Sequence, residues 1–357
     1  MHGRQQSQWL RMAQLRQPTH AMRVLLIRLG AFGDLLHTLP LAADLTAAGH
    51  QVGWLCEDRW AQVLAGSSAI QRIHTIPRKL LRSGTLLARL SAFRAVVREL
   101  RQSSYDVVID AQGLAKSGLA AWLSGAAIRL GHACPRAREG SWLMSQRRMC
   151  SAAVHVIDQQ RDLARLLEIQ PAGPWAFPLP AWKAERAWAR QVLAEARLEQ
   201  PWALNVGAGW PTKVWPVARQ IEFAKALRSR GTPLFIVWGS AAEQTVAQQV
   251  VDGADHGVIA PPSTIPQLAG LLALCAVVVS GDTGPLHLAL ALGTPAVGLF
   301  GPVPAERNGP RGIGYRTLQA PGAAWERRDL SKVEMGAISA AQVIAAADDA
   351  VTERITL

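Results

Sequence analysis

The sequence has few cysteines, and none of them lies in a metal-binding or redox pattern. Its four cysteines are far apart in the 357 residues, with no CxxC pair and no histidine at a zinc-site spacing. This pattern does not support a disulfide-rich secreted fold. We expect Cys56, Cys134, Cys150 and Cys275 to be reduced, mostly buried thiols in a reducing compartment.

Long apolar runs are also missing. The longest covers residues 268–279, which is short of the roughly 20 residues that a membrane-spanning helix needs. Residues 1–21 are polar and basic and lack the apolar core of a secretory signal. We expect them to be a disordered basic extension, or residues translated from a start upstream of the folded domain, which would then begin at Met22. The alternative is a weak membrane-surface arm, since Trp9, Leu10 and Leu15 could line one helical face.

Acidic residues are scarce relative to basic ones. The chain has 26 Asp and Glu against 38 Lys and Arg, a formal net charge of +12. This surplus suits a polyanionic partner such as nucleic acid, anionic lipid or a phosphorylated glycan. No compact Lys/Arg run with interleaved aromatic residues is present, so a nucleic-acid surface is disfavoured. The length and the 49% hydrophobic content indicate a globular protein large enough for two domains.

Residues 277–301 form the most informative stretch of the sequence. Val277 to Val279 is a β-branched run typical of a buried parallel strand. A polar loop, residues 280–284, separates it from a helix that Pro285 begins and Gly293 ends, and residues 296–300 predict the next strand. Open α/β sheets bind ligands at such loops, and the N-terminus of the following helix suits a phosphate group.

Two interpretations of this loop remain open from the local pattern. Asp282 could accept hydrogen bonds from sugar or ribose hydroxyls, and His287 could face the same ligand. Alternatively, Asp282 and Thr283 only cap the helix, and His287 is a half-buried structural histidine.

The chain begins with a similar strand–loop–helix–strand unit. Residues 24–27 predict a strand, residues 28–34 a loop, and residues 52–55 the second strand after a helix that Gly49 closes. The loop lacks G-x-G-x-x-G, which disfavours an NAD-dependent oxidoreductase. Asp34, at the helix start, either caps the helix or points a carboxylate into a cleft.

Strand and helix patterns alternate through both halves of the chain. Residues 129–148 form a second basic cluster in a poorly periodic segment. The Pro-rich residues 170–180 are the best linker candidate. We predict an α/β protein with two Rossmann-like, doubly wound parallel-sheet domains facing a cleft, residues 22–178 and 179–357. Whether the last helix packs back on the N-terminal domain is left open.

Two such domains resemble the GT-B glycosyltransferases, and the motifs resemble the ADP-heptose:lipopolysaccharide heptosyltransferase family, glycosyltransferase family 9. The matches span most of residues 22–312 and occur in the family's order, which argues against coincidence. VVIDAQGLAKSG is similar to the type I branch, whose members add the first heptose to a Kdo residue. The other matching segments are MRVLLIRLGAFGDLLHTLP, Lys-x-Trp-Pro at 213–216, Trp-Gly…Glu at 238–243 and SGDTGPLHLALALGTPAVGLFGP.

The resemblance implies an inverting glycosyltransferase of lipopolysaccharide biosynthesis. It would transfer L-glycero-D-manno-heptose from ADP-L-glycero-β-D-manno-heptose to the Kdo/lipid A inner core. Asp34 would be the general base, and Lys213 would stabilise the departing phosphates. Without the resemblance, Lys213 would be interpreted as an exposed loop lysine.

The resemblance also assigns binding residues. Glu243 would bind the adenosine ribose, Asp282 the heptose hydroxyls, and His287 would lie near the phosphates, although Glu243 could also only complement its helix dipole. The remaining donor-binding candidates are Thr283, Gly284 and Gly209. Candidates for binding the phosphates and carboxylates of the acceptor, each of which could also be a simple surface residue, are Arg78, Lys79, Arg82, Arg138 and Gln112.

The chain departs from the type I pattern before Lys213. Ala208, Gly209 and Trp210 replace hydroxyl residues, so these pyrophosphate contacts are lost or come from backbone N–H groups. The resemblance implies no essential cofactor or metal, no nucleic-acid partner, and a monomer that contacts the anionic inner face of the cytoplasmic membrane peripherally. The alternatives are a transferase of the same family with another donor or acceptor, or a catalytically silent protein that binds anionic glycolipids. The retained Asp34 argues against the silent protein, since binding alone needs no base.

Overall fold

The computed structural model describes residues 21–324 and 332–355. The basic extension predicted for residues 1–21 therefore lies, except for Ala21, outside the described residues. Within the described ranges no helix combines the length and the apolar character needed to cross a membrane.

The first half of the chain builds a six-stranded parallel sheet. Its strands are β1 (Arg23–Ile27), β2 (Gln51–Glu57), β3 (Arg72–Ile76), β4 (Val107–Asp110), β5 (Ile128–His132) and β6 (Arg147–Met149). They lie in the order β3-β2-β1-β4-β5-β6. The helices of this half are α1 (Phe32–Ala47), α2 (Ala61–Leu64), α3 (Arg78–Ser83), α4 (Leu86–Gln102), α5 (Ala115–Leu123) and α6 (Val156–Arg161).

The second half repeats this topology. Its strands are β7 (Trp202–Asn205), β8 (Leu234–Val237), β9 (Val258–Ile259), β10 (Val277–Gly281), β11 (Ala296–Phe300) and β12 (Tyr315–Gln319). The parallel order is β12-β11-β10-β7-β8-β9. The helices are α7 (Lys183–Glu195), α8 (Val217–Ser229), α9 (Ala241–Ala254), α10 (Ile265–Leu272), α11 (Gly284–Leu292), α12 (Ala305–Asn308) and α13 (Ala340–Ile355). The last helix, α13, packs on β10 to β12 and on α8.

Two doubly wound parallel sheets confirm the predicted fold class. The apolar runs at 24–27 and 277–279 lie in β1 and β10, whose described residues are buried except for Arg23. Apolar side chains in continuous runs are expected there because helices cover both faces of a parallel sheet. Residues 170–180, the predicted linker, contain no helix or strand.

The basic, poorly periodic segment 129–148 contains strands that its sequence pattern did not indicate. It holds most of β5 and the start of β6. Arg129 and Gly131 break the apolar pattern of β5, although the strand itself is continuous. The exposed Arg147 and Arg148 lie in β6, at the edge of the sheet. An edge strand needs no alternation of apolar residues and is often protected by charge, so periodicity does not reveal it.

Candidate active site

One cavity of about 820 Å³ lies between the two sheets. Asp34 and Gln112, which follow β1 and β4, and Lys213 and Asp282, which follow β7 and β10, line it. In each sheet these are the two central strands from which the chain winds in opposite directions. Open α/β sheets bind ligands at such switch points, outside the carboxyl ends of the strands. Both halves therefore direct their ligand-binding edges into the same space.

Most of the site residues expected from the sequence line this cavity. Those that do so are Asp34, Gln112, Arg138, Gly209, Lys213, Asp282, Thr283, Gly284 and His287. Arg78, Lys79 and Arg82 lie on α3 and Glu243 lies on α9, outside this lining. Arg78 pairs with Glu57 at 3.3 Å, between Nε and Oε2.

The two halves meet closely where α1 and α11 begin. A Cβ atom on Gly33 would lie 2.7 Å from Cδ2 of His287, and one on Gly284 would lie 2.5 Å from Cδ1 of Phe32. Both distances are shorter than van der Waals contact, so only glycine permits this approach without displacement. The first turn of α1, which carries Asp34, is thereby held against the N-terminus of α11.

Asp34 presents a carboxylate to the cavity. Its side chain is 47% exposed, and Oδ2 pairs with Nη2 of the buried Arg28. The backbone N–H of Ala31 donates to the same oxygen at 3.4 Å. Enclosure in the site raises the pKa of Asp34, but the charge and hydrogen bond of Arg28, together with Arg136, outweigh it and lower the pKa below its ordinary value. Asp34 is therefore ionised at neutral pH and can accept a proton.

Lys213 and Asp282 form an ion pair on the opposite wall. Lys213 Nζ donates to Asp282 Oδ2 at 2.5 Å and to its backbone oxygen at 3.2 Å. Asn308 Nδ2 donates to Asp282 Oδ1, which lies 3.3 Å from Nε2 of His287. Burial raises the pKa of Asp282, but the hydrogen bonds and charges of His287 and Lys213 outweigh burial and bring this pKa below its ordinary value. The carboxylate of Asp282 therefore stays ionised. Asp282 thus fixes the position of Lys213, whose side chain remains partly exposed.

The N-terminus of α11 is open toward this cavity. Thr283 is its N-cap residue, but its side chain makes no capping hydrogen bond. Thr283 Oγ1 instead accepts from Asn205 Nδ2 at 3.1 Å and contacts Ser280 Oγ at 3.1 Å. The interpretation of Thr283 as a side-chain cap is therefore wrong. Uncapped N–H groups and the positive end of the helix dipole are suited to bind a phosphate.

Arginines that the sequence did not single out add positive charge. Arg28 and Arg307 line the cavity, as does Arg136, whose Nη1 donates to Gln159 Oε1 at 2.5 Å. Burial, with Arg28 and Arg307 nearby, lowers the pKa of Arg136 to about 10, which leaves it charged at neutral pH. Arg28 directly follows β1 and Arg136 lies in a basic cluster, so the sequence contained a reason to consider both as site residues. No feature of the sequence marked Asn308 as a site residue.

Histidines also surround the contact between the halves. The His37 ring lies 4.2 Å from that of His287 and 6.5 Å from that of His155. Burial and the neighbouring charges hold the pKa of His37 well below its ordinary value. His155 accepts from the N–H of Ile157 and its Nε2 donates to the backbone oxygen of Gly309, and burial lowers its pKa to about 4. His37 and His155 are therefore neutral at pH 7.

Glu243 lies further along the same edge of the second sheet. It is in the first turn of α9, after β8, and its Oε2 accepts from the N–H of Gly239 at 2.7 Å. Its carboxylate lies against Gly207, where a Cβ atom would overlap it. Gly207 follows β7, so Glu243 is next to the loop that carries Lys213. In the described part of the chain no group of three His, Cys, Asp or Glu residues could hold a metal ion.

Known proteins resemble this chain over most of its length. Residues 93–332 match the model of glycosyltransferase family 9 (heptosyltransferase). Lipopolysaccharide heptosyltransferase 1 of Pseudomonas aeruginosa is 33% identical over 291 residues, which cover 79% of each chain. The enzyme of the same name from Salmonella typhimurium is 30% identical over 79% of this chain and 89% of its own.

A solved structure agrees with these sequence matches. The structure of the E. coli heptosyltransferase WaaC with ADP has a TM-score of 0.76 and 25% identity, over 92% of this chain and 100% of that one. The predicted resemblance to the type I branch is confirmed by the relatives of that name. The chain belongs to glycosyltransferase family 9, the heptosyltransferases.

Proposed function

We propose that this protein is an inverting heptosyltransferase of lipopolysaccharide synthesis. It transfers L-glycero-D-manno-heptose from ADP-L-glycero-β-D-manno-heptose to a Kdo residue of the lipid A inner core. The observation that carries the proposal is that one cavity has the ionised Asp34 on one wall and the positive charge of Lys213 and the start of α11 on the opposite wall. E. coli WaaC, solved with ADP-2-deoxy-2-fluoro heptose, matches over 91% of this chain at 25% identity, which supports the donor.

The reaction follows from the two walls of the cavity. Asp34 takes the proton from the acceptor hydroxyl as its oxygen attacks the anomeric carbon of the heptose. The bond from this carbon to the phosphate oxygen breaks on the opposite face, which inverts the anomeric centre. Lys213 and the N–H groups at the start of α11 stabilise the negative charge that develops on ADP. The α1–α11 contact holds both groups in place before substrate binds.

The donor residues keep the roles expected from the resemblance. Glu243, which lies beside the Lys213 loop, binds the adenosine ribose, and Gly209 lets the backbone approach the pyrophosphate. His287 lies near the phosphates, and Asp282 contacts a heptose hydroxyl. Asp282 has a second role, since its bonds to Lys213, His287 and Asn308 hold these side chains in position.

The acceptor is bound by the basic residues of the first half. Arg138 and Gln112 line the cavity near Asp34 and contact the Kdo carboxylate region. Arg78, Lys79 and Arg82 on α3 contact more distant phosphates. The position of α3 directly after β3, at the carboxyl edge of the sheet, supports this assignment.

The protein acts as a monomer, without an essential metal, at the cytoplasmic face of the inner membrane. One chain supplies both Asp34 and Lys213 to the cavity, so no second copy is needed to complete the site. Lys213 and the start of α11 supply the positive charge that a metal ion supplies in other transferases.

The test is transfer from ADP-L-glycero-β-D-manno-heptose to Kdo2-lipid A by the wild type and Asp34→Ala, with Asp58→Ala as a control. Asp58 is an exposed carboxylate outside the cavity lining. Product with the wild type and the control, near-loss with Asp34→Ala and unchanged donor binding support the proposal. Tight donor binding without product would assign a different acceptor. Absence of both would refute the donor assignment and favour the binding protein or another sugar donor.

A further inference from the structure

The outer face of the first domain carries an unusual concentration of exposed apolar side chains. Leu87 is 81% exposed, Leu143 79%, Leu86 69% and Trp122 57%. Leu90 and Phe93 are exposed on the same helix as Leu86. Among residues 21–324 and 332–355, the exposed large apolar side chains outside α3, α4, α5 and the turn Ser141–Met144 are Val154, Trp210 and Ile313.

These elements form one continuous layer, which we name the α3–α5 face. Glu57 pairs with Arg78 of α3 at 3.3 Å and with Lys116 of α5 at 3.8 Å, so both helices begin near the same carboxylate. Arg101 Nε at the end of α4 donates to the backbone oxygen of Leu123 at the end of α5, at 3.0 Å. The turn Ser141–Met144 packs directly on α5 at Gly118.

The α3–α5 face lies on the side of the sheet away from α1. Leu100 of α4 and Ala121 of α5 pack on Leu25 and Ile27 of β1. The alternate residues of β1, Val24 and Leu26, pack on the side that α1 covers. The face is therefore not occupied by the contact between the two halves. Its helices α3 and α5 follow β3 and β4, so both begin at the carboxyl edge of the sheet, the edge at which Asp34 and Gln112 line the cavity.

Helix α4 has the composition of a helix that lies in a membrane interface. Leu86, Leu90, Phe93 and Val97 follow the spacing of one helical stripe, which globular proteins normally turn toward their core. Here most of the stripe is exposed, and Val97 is half-buried. A helix with exposed apolar residues beside basic ones binds at the boundary between lipid headgroups and acyl chains.

The charge of this face is complementary to anionic lipid. Residues 78–102 contain seven Lys and Arg and a single acidic residue, Glu99. Glu99 is engaged by His74 at 2.7 Å and by Arg72 at 3.6 Å. Arg89, Arg94 and Arg98 are exposed on α4. Basic residues bind anionic headgroups while neighbouring Leu and Trp side chains enter the interface.

We propose that the α3–α5 face docks the protein on an anionic lipid bilayer, with Leu86, Leu87 and Trp122 inserted and the arginines of α4 bound to headgroups. The proposal deepens the proposed function, because the lipid A part of the acceptor is embedded in such a bilayer. Docking through this face brings the carboxyl edge of the first sheet, which carries Asp34 and Gln112, toward the membrane surface, where the acceptor sugars emerge.

The test is co-sedimentation of the full chain with vesicles of one part phosphatidylglycerol to two parts phosphatidylcholine, and with pure phosphatidylcholine vesicles. We expect strong binding only to the anionic vesicles, weakened by added salt. Arg94→Gln with Arg98→Gln is expected to lower partitioning about 30-fold, since each basic residue near an anionic surface contributes about fivefold. Leu87→Gln with Leu90→Gln is expected to lower it at least tenfold, because apolar area no longer enters the interface.

Matched variants on the second domain separate a local surface from general positive charge. Arg186 and Arg190 are exposed on α7 at the same helical spacing as Arg94 and Arg98. Their double replacement by Gln, and Ile313→Gln, are expected to change partitioning less than threefold. The proposal would be overturned if the α4 and α7 double variants lost vesicle binding to the same extent. It would also be overturned if the wild type bound neutral vesicles as strongly as anionic ones. A dimer that Leu87→Gln dissociates, without vesicle binding, would assign the face to a second copy.

Transfer to a deacylated, water-soluble acceptor separates this proposal from the proposed function. The α4 variants are expected to keep wild-type rates with that acceptor while losing rate on vesicle-bound acceptor. α4-dependent vesicle binding without heptose transfer would leave the docking surface standing and refute the function. Transfer from vesicles that is unaffected by the α4 variants would refute the docking surface alone.

Discussion

At the scale of single residues, the site depends on two carboxylates with different surroundings. Asp34 has one arginine partner and an exposed side toward the cavity, whereas Asp282 is buried and has three partners. Both have lowered pKa values, so both are ionised at neutral pH. The difference in exposure therefore decides which carboxylate can accept a proton from substrate and which one orients other side chains.

Arg28→Gln should change the pH dependence of the reaction. Arg28 is a main cause of the low pKa of Asp34, and enclosure, which raises that pKa, remains in the variant. Protonated Asp34 cannot act as a base, so the acid limb of kcat/KM should move to higher pH than in the wild type. Arg138→Gln, in the same cavity, should lower the rate without moving the limb. Superimposable pH profiles for wild type and Arg28→Gln would contradict this account.

Lys213→Met should lower kcat about 10²- to 10³-fold, because a charge-stabilising group is lost from the transition state. It should also lower the free energy of unfolding by roughly 1–3 kcal/mol, because the buried Asp282 loses its cationic partner. The pKa of Asp282 is lowered by folding, so this stabilisation is present at neutral pH and disappears as the pH falls through the folded-state pKa.

Urea denaturation at neutral and acidic pH measures the stability effect of Lys213→Met. Adding Asp282→Asn should recover part of the stability but none of the activity. Lys225→Met, at an exposed lysine of α8, is the matched control and should change neither quantity. A Lys213→Met loss that is equal at both pH values would show that the ion pair is not its cause.

At the scale of elements, the beginnings of α1 and α11 matter most. Pro285 is in the first turn of α11, and Gly293, with φ of 72°, ends it in the left-handed region, as the sequence predicted. The two helices approach each other through Gly33 and Gly284. These glycines serve packing between the two halves, since neither has a positive φ.

Gly33→Ala should displace the start of α1 from α11. The added Cβ would lie 2.7 Å from His287, so either the ring or the helix must move. A shift of about 1 Å between Asp34 and the phosphate-binding wall can cost about 100-fold in kcat/KM. Gly336→Ala is the control, because its Cβ would meet only Pro216, at 3.7 Å. Wild-type kinetics in Gly33→Ala would show that this contact does not set the geometry of the site.

At the scale of the whole molecule, two similar domains contribute different chemistry to one cavity. The first supplies the base Asp34 with Arg28 and Arg136, and the second supplies Lys213, the start of α11 and Arg307. Nucleotide is therefore expected to bind the second domain. Because the halves touch at the site, it should also stabilise the complete protein.

ADP and inorganic pyrophosphate should both raise the melting temperature, by stabilising the folded state about 2.7 kcal/mol at 100 times Kd. Glu243→Ala should weaken the shift with ADP but not with pyrophosphate, because Glu243 is assigned to the ribose. Lys213→Met should weaken both shifts. The measurement is thermal denaturation against ligand concentration, and a Glu243→Ala variant that loses both shifts equally would contradict the ribose assignment.

The sequence by itself determined the alternation of strands and helices, the two-domain α/β fold, the family and the loops that carry Asp34, Lys213 and Asp282. These features are encoded locally, in apolar runs, helix-terminating glycines and motifs a few residues long. The strands β5 and β6 were not recognised from the sequence, because pairing with neighbouring strands, rather than an apolar pattern of their own, makes them strands.

Only the tertiary structure decided which side chains act on one another. Asn308 reaches Asp282 from 26 residues away, and Arg28 is anchored to Ala111 across 83 residues. His37 meets His287 only because glycines let α1 and α11 touch. The sequence also could not predict the exposure of α4, since the apolar stripe of this helix predicts burial. Only the packing of the folded chain shows which side chains remain uncovered. Such contacts depend on how distant segments pack, and no local pattern in the chain records that packing.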